Sequence, residues 1–556
     1  MTRPAELTFR HWLLLAVVAL AMYLPGFATL PPFDRDESRY AQASHQMLET
    51  GDFVDIRFQE EPRHKKPVGI YWMQATAVSA LTGGDTHGPI WMYRLPSLLG
   101  AIAAVLLTAW TGARLFGAAA GLGAGLGMAA VLVLGVEARM AKTDAMLLAT
   151  IAATQGCLAR IYMDRDKPLP PSLWLILGFW AAAGLSILVK GPIVLMVTGL
   201  TLLALCLWDR DARWLKRLRP GIGVPVLLAV VLPWLVAIGL RTGGAFFSYA
   251  IGHEFLGKAN TGQEGHAGPP GFYLATFWLS FWPLALLAAL ALPWVWKRRR
   301  EPAVRFCVAW IVPTWLVFEA VVTKLPHYTL PVFPAIAMLA AAATLERHDG
   351  PRLSRRWGFW LASAIWLVVG TAFAGAALWV PVQLEGAPNA AGIAAAAVIL
   401  ATTLSIPLFE LRRQTGRLLT AILAGGFLTY ATVHGALLPN LTQAWLSPQV
   451  AETVFRQRPC PGTVLAAAGY TEPSMVLLVG TNTRLGGGDT VAEHLAANPA
   501  CALGLVTGRE LAKFQESAAA KGLAVRQVAS LRGFNYSRGR WEDLGFYVAE
   551  IAPPAP

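Results

Sequence analysis

The sequence predicts a polytopic α-helical membrane protein of about 13 transmembrane helices, followed by a small C-terminal α/β domain. Three observations predict it. The chain is 55% hydrophobic and 14% charged, with mean hydropathy +0.49, too little charge to cover the surface of a soluble protein of 556 residues. Apolar runs of about 20 residues, long enough to cross a bilayer as a helix, recur from residue 9 to residue 437. From about residue 441 those runs stop.

The apolar segments fall at about 9–30, 94–113, 117–137, 143–162, 172–189, 192–208, 221–241, 271–296, 303–323, 327–345, 357–380, 389–409 and 418–437. The first could be a cleaved signal peptide. It lacks a small-x-small cleavage site and runs into Leu30-Pro31-Pro32, so it reads as a retained span. Residues 69–81 are apolar but too short to span, and better fit a helix lying at the interface.

Charge tests the count. With the N-terminus in the cytoplasm, the basic clusters Arg160/Arg165/Lys167, Arg210 to Arg219, Lys297 to Arg300, Arg347 to Arg356 and Arg412 to Arg417 all fall inside, as the positive-inside rule requires. Counting 69–81 as a span would invert them. This pattern also accounts for the net charge of +13 without nucleic acid, which is excluded as a partner. The C-terminal region is then outside. The predicted domains are 1–440, with a first external loop at about 31–93 carrying interfacial helices, and 441–556.

Within 441–556, Thr463 to Ala468, Ala502 to Thr507 and Phe546 to Ile551 read as strands, and Glu510 to Lys521 as an amphipathic helix. Cys157, Cys206 and Cys307 fall in spans. Cys460 and Cys501 lie outside them, where an oxidising compartment favours a disulfide over two free thiols.

The external segments carry ionisable groups that a bilayer surface tolerates only at a site or a water-filled cavity. Asp36 and Glu37 follow the first span, in Asp34-Arg35-Asp36-Glu37-Ser38-Arg39-Tyr40. They can cap a helix. Together with Asp144 they are also candidate catalytic carboxylates, able to act as a base or to hold a cation. Lys65-Lys66-Pro67 precedes the interfacial segment, as a lipid anchor or a phosphate site. Lys142, Lys190, Lys258 and Lys324 lie on the same side, against the positive-inside trend, which points to an anionic ligand. Lys324-Leu325-Pro326-His327-Tyr328 is a proline-stiffened turn presenting His327 and Tyr328 at the cavity mouth. His253, Glu254 and His266 offer weakly spaced metal ligands. No CxxC pair or HExxH run occurs, so the metal site is unknown.

The set Asp36-Glu37-Ser38-Arg39-Tyr40, Lys66-Pro67 with Tyr71-Trp72, Arg94-Leu95-Pro96-Ser97, Asp144 and Lys324-Leu325-Pro326-His327-Tyr328 resembles the polyprenyl-phosphate-sugar-dependent membrane glycosyltransferases. It is most similar to the lipid A aminoarabinose transferases, relatives of the protein O-mannosyltransferases. The resemblance implies a GT-C fold in a bacterial inner membrane, with active site and C-terminal domain facing the periplasm. It implies transfer of a sugar, with 4-amino-4-deoxy-L-arabinose the first candidate, from undecaprenyl phosphate to lipid A or a related envelope glycolipid, with inversion. Asp36 and Asp144 match the family's two carboxylates. Arg39 and Lys66 match residues that handle the donor phosphate, and Tyr328 a phosphate-contacting tyrosine. No cofactor is required beyond an optional divalent metal ion, and a monomer is expected.

Two positions depart from the family. Lys65 stands where the aminoarabinose transferases carry Glu, which leaves the sugar open. Lys258 stands where an Arg is expected, keeping the charge without the bidentate fork. A protein O-mannosyltransferase-like enzyme is the alternative within the class. A lipid-linked-sugar transporter is the alternative outside it, but would carry repeats and midplane charges, which this sequence lacks.

Overall fold

The computed structural model describes residues 6–250, 252, 268–347 and 357–550. Lys258, His253, Glu254, His266, Arg352, Arg355, Arg356 and Ile551 lie outside the described residues.

Among the described residues, nine helices are long and apolar enough to cross a membrane, and eleven if each of two bent pairs counts as one span. Two shorter apolar helices, Phe9–Tyr23 and Ile193–Asp209, match the remaining predicted segments. Their boundaries differ from the sequence reading. The first helix, α1, ends at Tyr23, so the tail of the predicted 9–30 segment is turns. The predicted 117–137 segment is two helices, α5 (Ala118–Ala130) and α6 (Leu132–Ala138), bent by 63°. The predicted 271–296 segment is likewise two helices, Phe272–Ser280 and Ala285–Arg298, bent by 120°. The two breaks meet: the Leu132 amide donates to the Trp282 carbonyl at 2.8 Å. Each break frees backbone groups that a lipid-facing helix could not leave unpaired, and the second break supplies a partner for the first.

Between α1 and the long helix α4 (Ile90–Phe116) lies the first loop. It holds α2 (Asp36–Thr50), a two-stranded hairpin, β1 (Arg57–Phe58) and β2 (Glu61–Pro62), and α3 (Gly69–Thr82). The residues predicted to lie at the interface form α3, which packs against α2, α4 and α8 (Leu173–Lys190). A β-carbon on Gly69 would lie 2.8 Å from the Leu188 carbonyl oxygen, so glycine permits this close approach. Gly100 does the same where α4 meets α7 (Asp144–Met163): a β-carbon there would sit 2.8 Å from Met146 backbone. These contacts hold the N-terminus of α7 and the C-terminus of α8 at the same end of the bundle as the first loop.

The C-terminal region contains a five-stranded sheet of order β4-β3-β5-β7-β6, with β3 Val464–Ala468, β4 Arg484–Gly486, β5 Ala502–Thr507, β6 Val525–Asn535 and β7 Arg540–Ala549. Strand β3 runs parallel to β4 and β5 (Val464 opposite Ala502), while β7 is antiparallel to β5 and β6 (Leu505 opposite Phe546, Asn535 opposite Arg540). Helices Leu446–Gln457 and Pro473–Val479 pack over one part of the core and Gly488–Ala497 with Leu511–Ala520 over the other. Two predicted strands and the amphipathic helix match closely. The last strand starts at Arg540, earlier than the predicted Phe546, and its partner β6 is not predicted. Cys460 and Cys501 form a disulfide, with Cα atoms 5.4 Å apart.

Candidate active site

The first loop is bolted to the bundle through Glu37. Its carboxylate takes a bidentate pair from Arg94, Nε at 2.8 Å and Nη2 at 2.9 Å. It also accepts from the Phe33 amide at 2.8 Å and the Ala141 amide at 2.7 Å. Arg94 in turn donates to the carbonyls of Phe27, Leu30 and Pro31. Both side chains are 0% exposed. All four acceptor positions of Glu37 are filled, which corrects the expectation of a catalytic Glu37. It is a structural counter-ion. The Arg94-Leu95-Pro96-Ser97 motif acts likewise, since Ser97 Oγ donates to the Lys142 carbonyl at 3.0 Å.

Asp36, one residue earlier, opens α2 and faces the other way. Its side chain is exposed, and no hydrogen bond or ion pair engages its carboxylate among the described residues. Protein nevertheless surrounds it closely enough for burial to oppose its charge. The positive charges of Lys142, Arg63 and Arg39 overcome this and hold the carboxyl below its ordinary value, against a smaller push from Asp144. An exposed carboxylate thus lies within reach of three positive charges.

The other wall is a ladder of charges where α6, α7, α8 and the Pro326–Val332 turn meet. Lys190 Nζ lies 2.5 Å from Asp144 Oδ1. Lys142 Nζ is 2.9 Å from Glu137 and 3.8 Å from Asp144. His327 stands between the carboxylates, 3.7 Å from each. Tyr328 meets the His327 ring edge-on, centroids 5.1 Å apart, and Lys190 lies 5.7 Å from the Tyr328 ring centre. Burial works against the Lys142 charge, but Glu137, Asp144 and Asp36 outweigh it and keep the ammonium protonated.

Glu137, Asp144 and His327 offer ligand atoms within 4.8 Å of one another, a set a divalent cation could use. Lys142 and Lys190 already pair with the two carboxylates, so a cation would compete with two ammonium groups, although Glu137 Oε2 is buried without a hydrogen-bond partner. The residues therefore fit a metal poorly.

The structure brings Asp36, Asp144, His327 and Tyr328 to one end of the bundle, and places Arg39 beside Asp36. Lys66 is half-buried just ahead of α3. Lys324 is buried and donates to the Gly268 carbonyl at 3.0 Å, which uses one of its three ammonium donors. Sequence alone puts Lys142 and Lys190 on this face as part of an anionic-ligand site, without their carboxylate partners, and does not distinguish Glu137 or Arg63. Arg63 is buried, donates to Tyr71 Oη at 3.2 Å and lies 5.1 Å from the Tyr40 ring centre.

Comparison with known proteins fits this geometry. A family model, dolichyl-phosphate-mannose-protein mannosyltransferase, matches residues 12–245. The structure superposes on that of ArnT from Cupriavidus metallidurans bound to undecaprenyl phosphate, with TM-score 0.72 and 21% identity, covering 99% of this chain and 100% of that one. The chain has the GT-C fold. A more distant fold match is archaeal oligosaccharyltransferase AglB from Archaeoglobus fulgidus, with TM-score 0.53 and 10% identity, covering 98% of this chain and 74% of that one. By sequence, the GT-C chain is 28% identical over 362 residues to an undecaprenyl phosphate-alpha-4-amino-4-deoxy-L-arabinose arabinosyl transferase of Pseudomonas fluorescens. It is also 28% identical over 386 residues to one of Aeromonas salmonicida. The first alignment spans 62% of this chain and 60% of the relative, the second 69% of each. The resemblance read from the motifs holds, and the chain is a multi-pass membrane protein similar to the aminoarabinose transferases.

Proposed function

We propose that this chain is a glycosyltransferase that moves a sugar from undecaprenyl phosphate to lipid A or a related envelope glycolipid. The reaction takes place at the periplasmic face of the bacterial inner membrane, with 4-amino-4-deoxy-L-arabinose the first sugar to test. The observation that carries the reading is the Asp36 carboxylate, unengaged among the described residues and surrounded by charges that are mostly positive. Lys142, Lys190, Arg39 and Arg63 outnumber Asp36, Glu137 and Asp144, leaving net positive charge for an anionic leaving group.

The acceptor oxygen attacks the anomeric carbon from the face opposite the donor phosphate. The bond from that carbon to the phosphate oxygen breaks, and undecaprenyl phosphate leaves with the electron pair. Cations fixed in advance stabilise the charge that builds on it. Arg39, Lys66 and Lys258 hold the phosphate, and Tyr328 and His327 line its approach. Asp36 takes the proton of a hydroxyl acceptor, or stabilises positive charge at the sugar when the acceptor is itself a phosphate. Asp144, tied to Lys190, orients the cationic wall. Residues 1–440 form the catalytic membrane domain, 31–93 its interfacial loop and 441–556 a periplasmic domain, and the enzyme acts as a monomer.

The test is transfer by the purified chain from undecaprenyl-phosphate-linked aminoarabinose to lipid A, read by mass spectrometry. Product with the wild type and none with Asp36→Ala is expected. Product from Asp36→Ala at the wild-type rate overturns the reading.

A further inference from the structure

The first loop meets the C-terminal sheet region along one seam, and the seam closes on the residues just before Asp36. The Asp34 amide donates to Tyr536 Oη at 2.7 Å. The Ser474 hydroxyl donates to the Asp34 carboxylate. Ser474 Oγ also lies 2.5 Å from Ser447 Oγ, which is 2.6 Å from Tyr470 Oη. Arg35 Nη2 donates to the Ser537 carbonyl at 2.6 Å. Phe33 packs edge-on against Trp445, with ring centroids 5.2 Å apart. Three consecutive residues thus each find a partner in the C-terminal region.

Arg35 sits at φ 64, ψ −100 and is the N-cap of α2. A side-chain-bearing residue keeps such a conformation only when its surroundings over-determine it. Here they do so from two sides. The bundle holds Phe33 and Glu37 through Arg94, and the C-terminal region holds Asp34 and Arg35. Asp36 is the residue between these anchors, and its own side chain is left unengaged.

We propose that Tyr536 and Ser474 are positioning residues for Asp36: by clamping Asp34 through its amide and its carboxylate, the C-terminal region sets the direction of the acceptor-side carboxylate. The proposal rests on the reading of Asp36 as that carboxylate. The C-terminal region thereby becomes part of the catalytic apparatus rather than a lid over it. The same seam also has contacts farther along α2, where Gln42 donates to Thr481 Oγ1 at 2.8 Å and Thr481 donates to Glu49 at 2.7 Å. These hold the region in place without touching the Asp34–Asp36 peptide.

The experiment compares transfer kinetics of the full chain in detergent for Tyr536→Phe, Ser474→Ala, Ser474→Thr, Thr481→Val and Asp36→Ala, using undecaprenyl-phosphate-linked aminoarabinose and lipid A. A misplacement near 1 Å can cost about 100-fold in rate, so loss of one clamp bond is expected to lower kcat by about tenfold. The KM for donor stays within about twofold, because the phosphate-binding cations are untouched. Ser474→Thr, which keeps the hydroxyl, restores kcat, and Thr481→Val stays near wild type. An unchanged kcat in both Tyr536→Phe and Ser474→Ala, with transfer lost in Asp36→Ala, overturns the clamp and leaves the enzyme reading standing. Equal losses in Thr481→Val and Tyr536→Phe also overturn it, in favour of simple docking. Transfer surviving in Asp36→Ala removes both. Should Ser474→Ala fail to fold, Tyr536→Phe, which loses one oxygen atom, carries the test.

Discussion

The Lys190 ammonium lies 2.5 Å from the Asp144 carboxylate, with only 11% and 8% of the two side chains exposed. A carboxylate held this way is a poor proton acceptor, because taking a proton would cost it the ion pair. It is a good anchor, because the pair fixes the end of α8 against the start of α7. This divides the labour between the two carboxylates: Asp36 is unengaged and exposed, and Asp144 is paired.

Lys190→Met and Asp144→Asn should therefore be strongly non-additive. Each single change strands a buried partner, while the double change strands none. The coupling energy is expected in the range of about 0.5–3 kcal/mol found for residues sharing one network. Lys142 and His327 near Asp144 keep it from the upper end. A double-mutant cycle on thermal unfolding in detergent measures it, and additive effects would show the pair to be inconsequential.

Arg94→Ala should act on stability first. It leaves the Glu37 carboxylate buried without its counter-ion, and three loop carbonyls without their donor. Breaking a buried pair in this way costs about 3–5 kcal/mol. Asp36→Ala, by contrast, removes an exposed carboxylate with no bonded partner among the described residues and should leave the melting temperature nearly unchanged while transfer is lost. Melting curves beside transfer assays separate the two. Equal melting temperatures for Arg94→Ala and the wild type would refute the structural role given to Glu37.

Much of this was legible before any coordinates. The apolar segments map onto helices because a bilayer-length run of apolar residues has few other outcomes. The break at Val131 was not legible. No proline marks it, and the amide it frees is answered by Trp282, far along the chain. Strand β6 is hard to read from sequence because exposed and half-buried residues dominate it, which blurs the alternation that marks a strand. In the site, Asp36 and Asp144 stand out as carboxylates at span ends. Glu37 looks identical by that criterion, and only the fourfold saturation of its oxygens sets it apart. The roles of Lys142 and Glu137 depend on how α6 bends toward α7, which no local pattern encodes.

The pH dependence of transfer should reveal Asp36. Its carboxyl is held below the ordinary value because Lys142, Arg63 and Arg39 outweigh desolvation. The ionised form thus persists as pH falls, and is lost only below the usual carboxylate range. The acid limb of kcat/KM is expected below about pH 4, the ordinary carboxyl value. Lys142→Met removes the largest lowering charge and should move that limb upward. A limb that stays put in Lys142→Met would exclude Asp36 as the group that titrates.

Asp34 should give the seam a pH dependence of the opposite sign. Burial pushes its carboxyl up from 3.8 to about 7, partly offset by the Ser474 hydroxyl and assisted by Glu472. The folded state therefore binds a proton that the unfolded chain has released between those two values. Stability from this group is complete below about pH 4 and declines as pH rises toward 7, since the slope follows the difference in bound protons. Asparagine cannot ionise, so Asp34→Asn should flatten the fall in melting temperature across that window. A wild-type profile that rises over the same window, or one that Asp34→Asn leaves unaltered, would rule out a protonated Asp34 at the seam.

Removal of divalent metal should leave transfer intact. Glu137, Asp144 and His327 could ligate a cation by spacing alone, but Lys142 and Lys190 stand within 2.9 Å and 2.5 Å of the two carboxylates. A cation entering there competes with two ammonium groups for the same carboxylates. Treatment with a chelator, followed by the transfer assay and metal analysis of the protein, tests this. Activity that falls on chelation and returns with added zinc or magnesium would mean that the lysines yield to a metal. Lys190→Met, which uncovers Asp144, should bind divalent metal more tightly than the wild type. The direction of that change distinguishes lysine occupancy from a site with no affinity for metal.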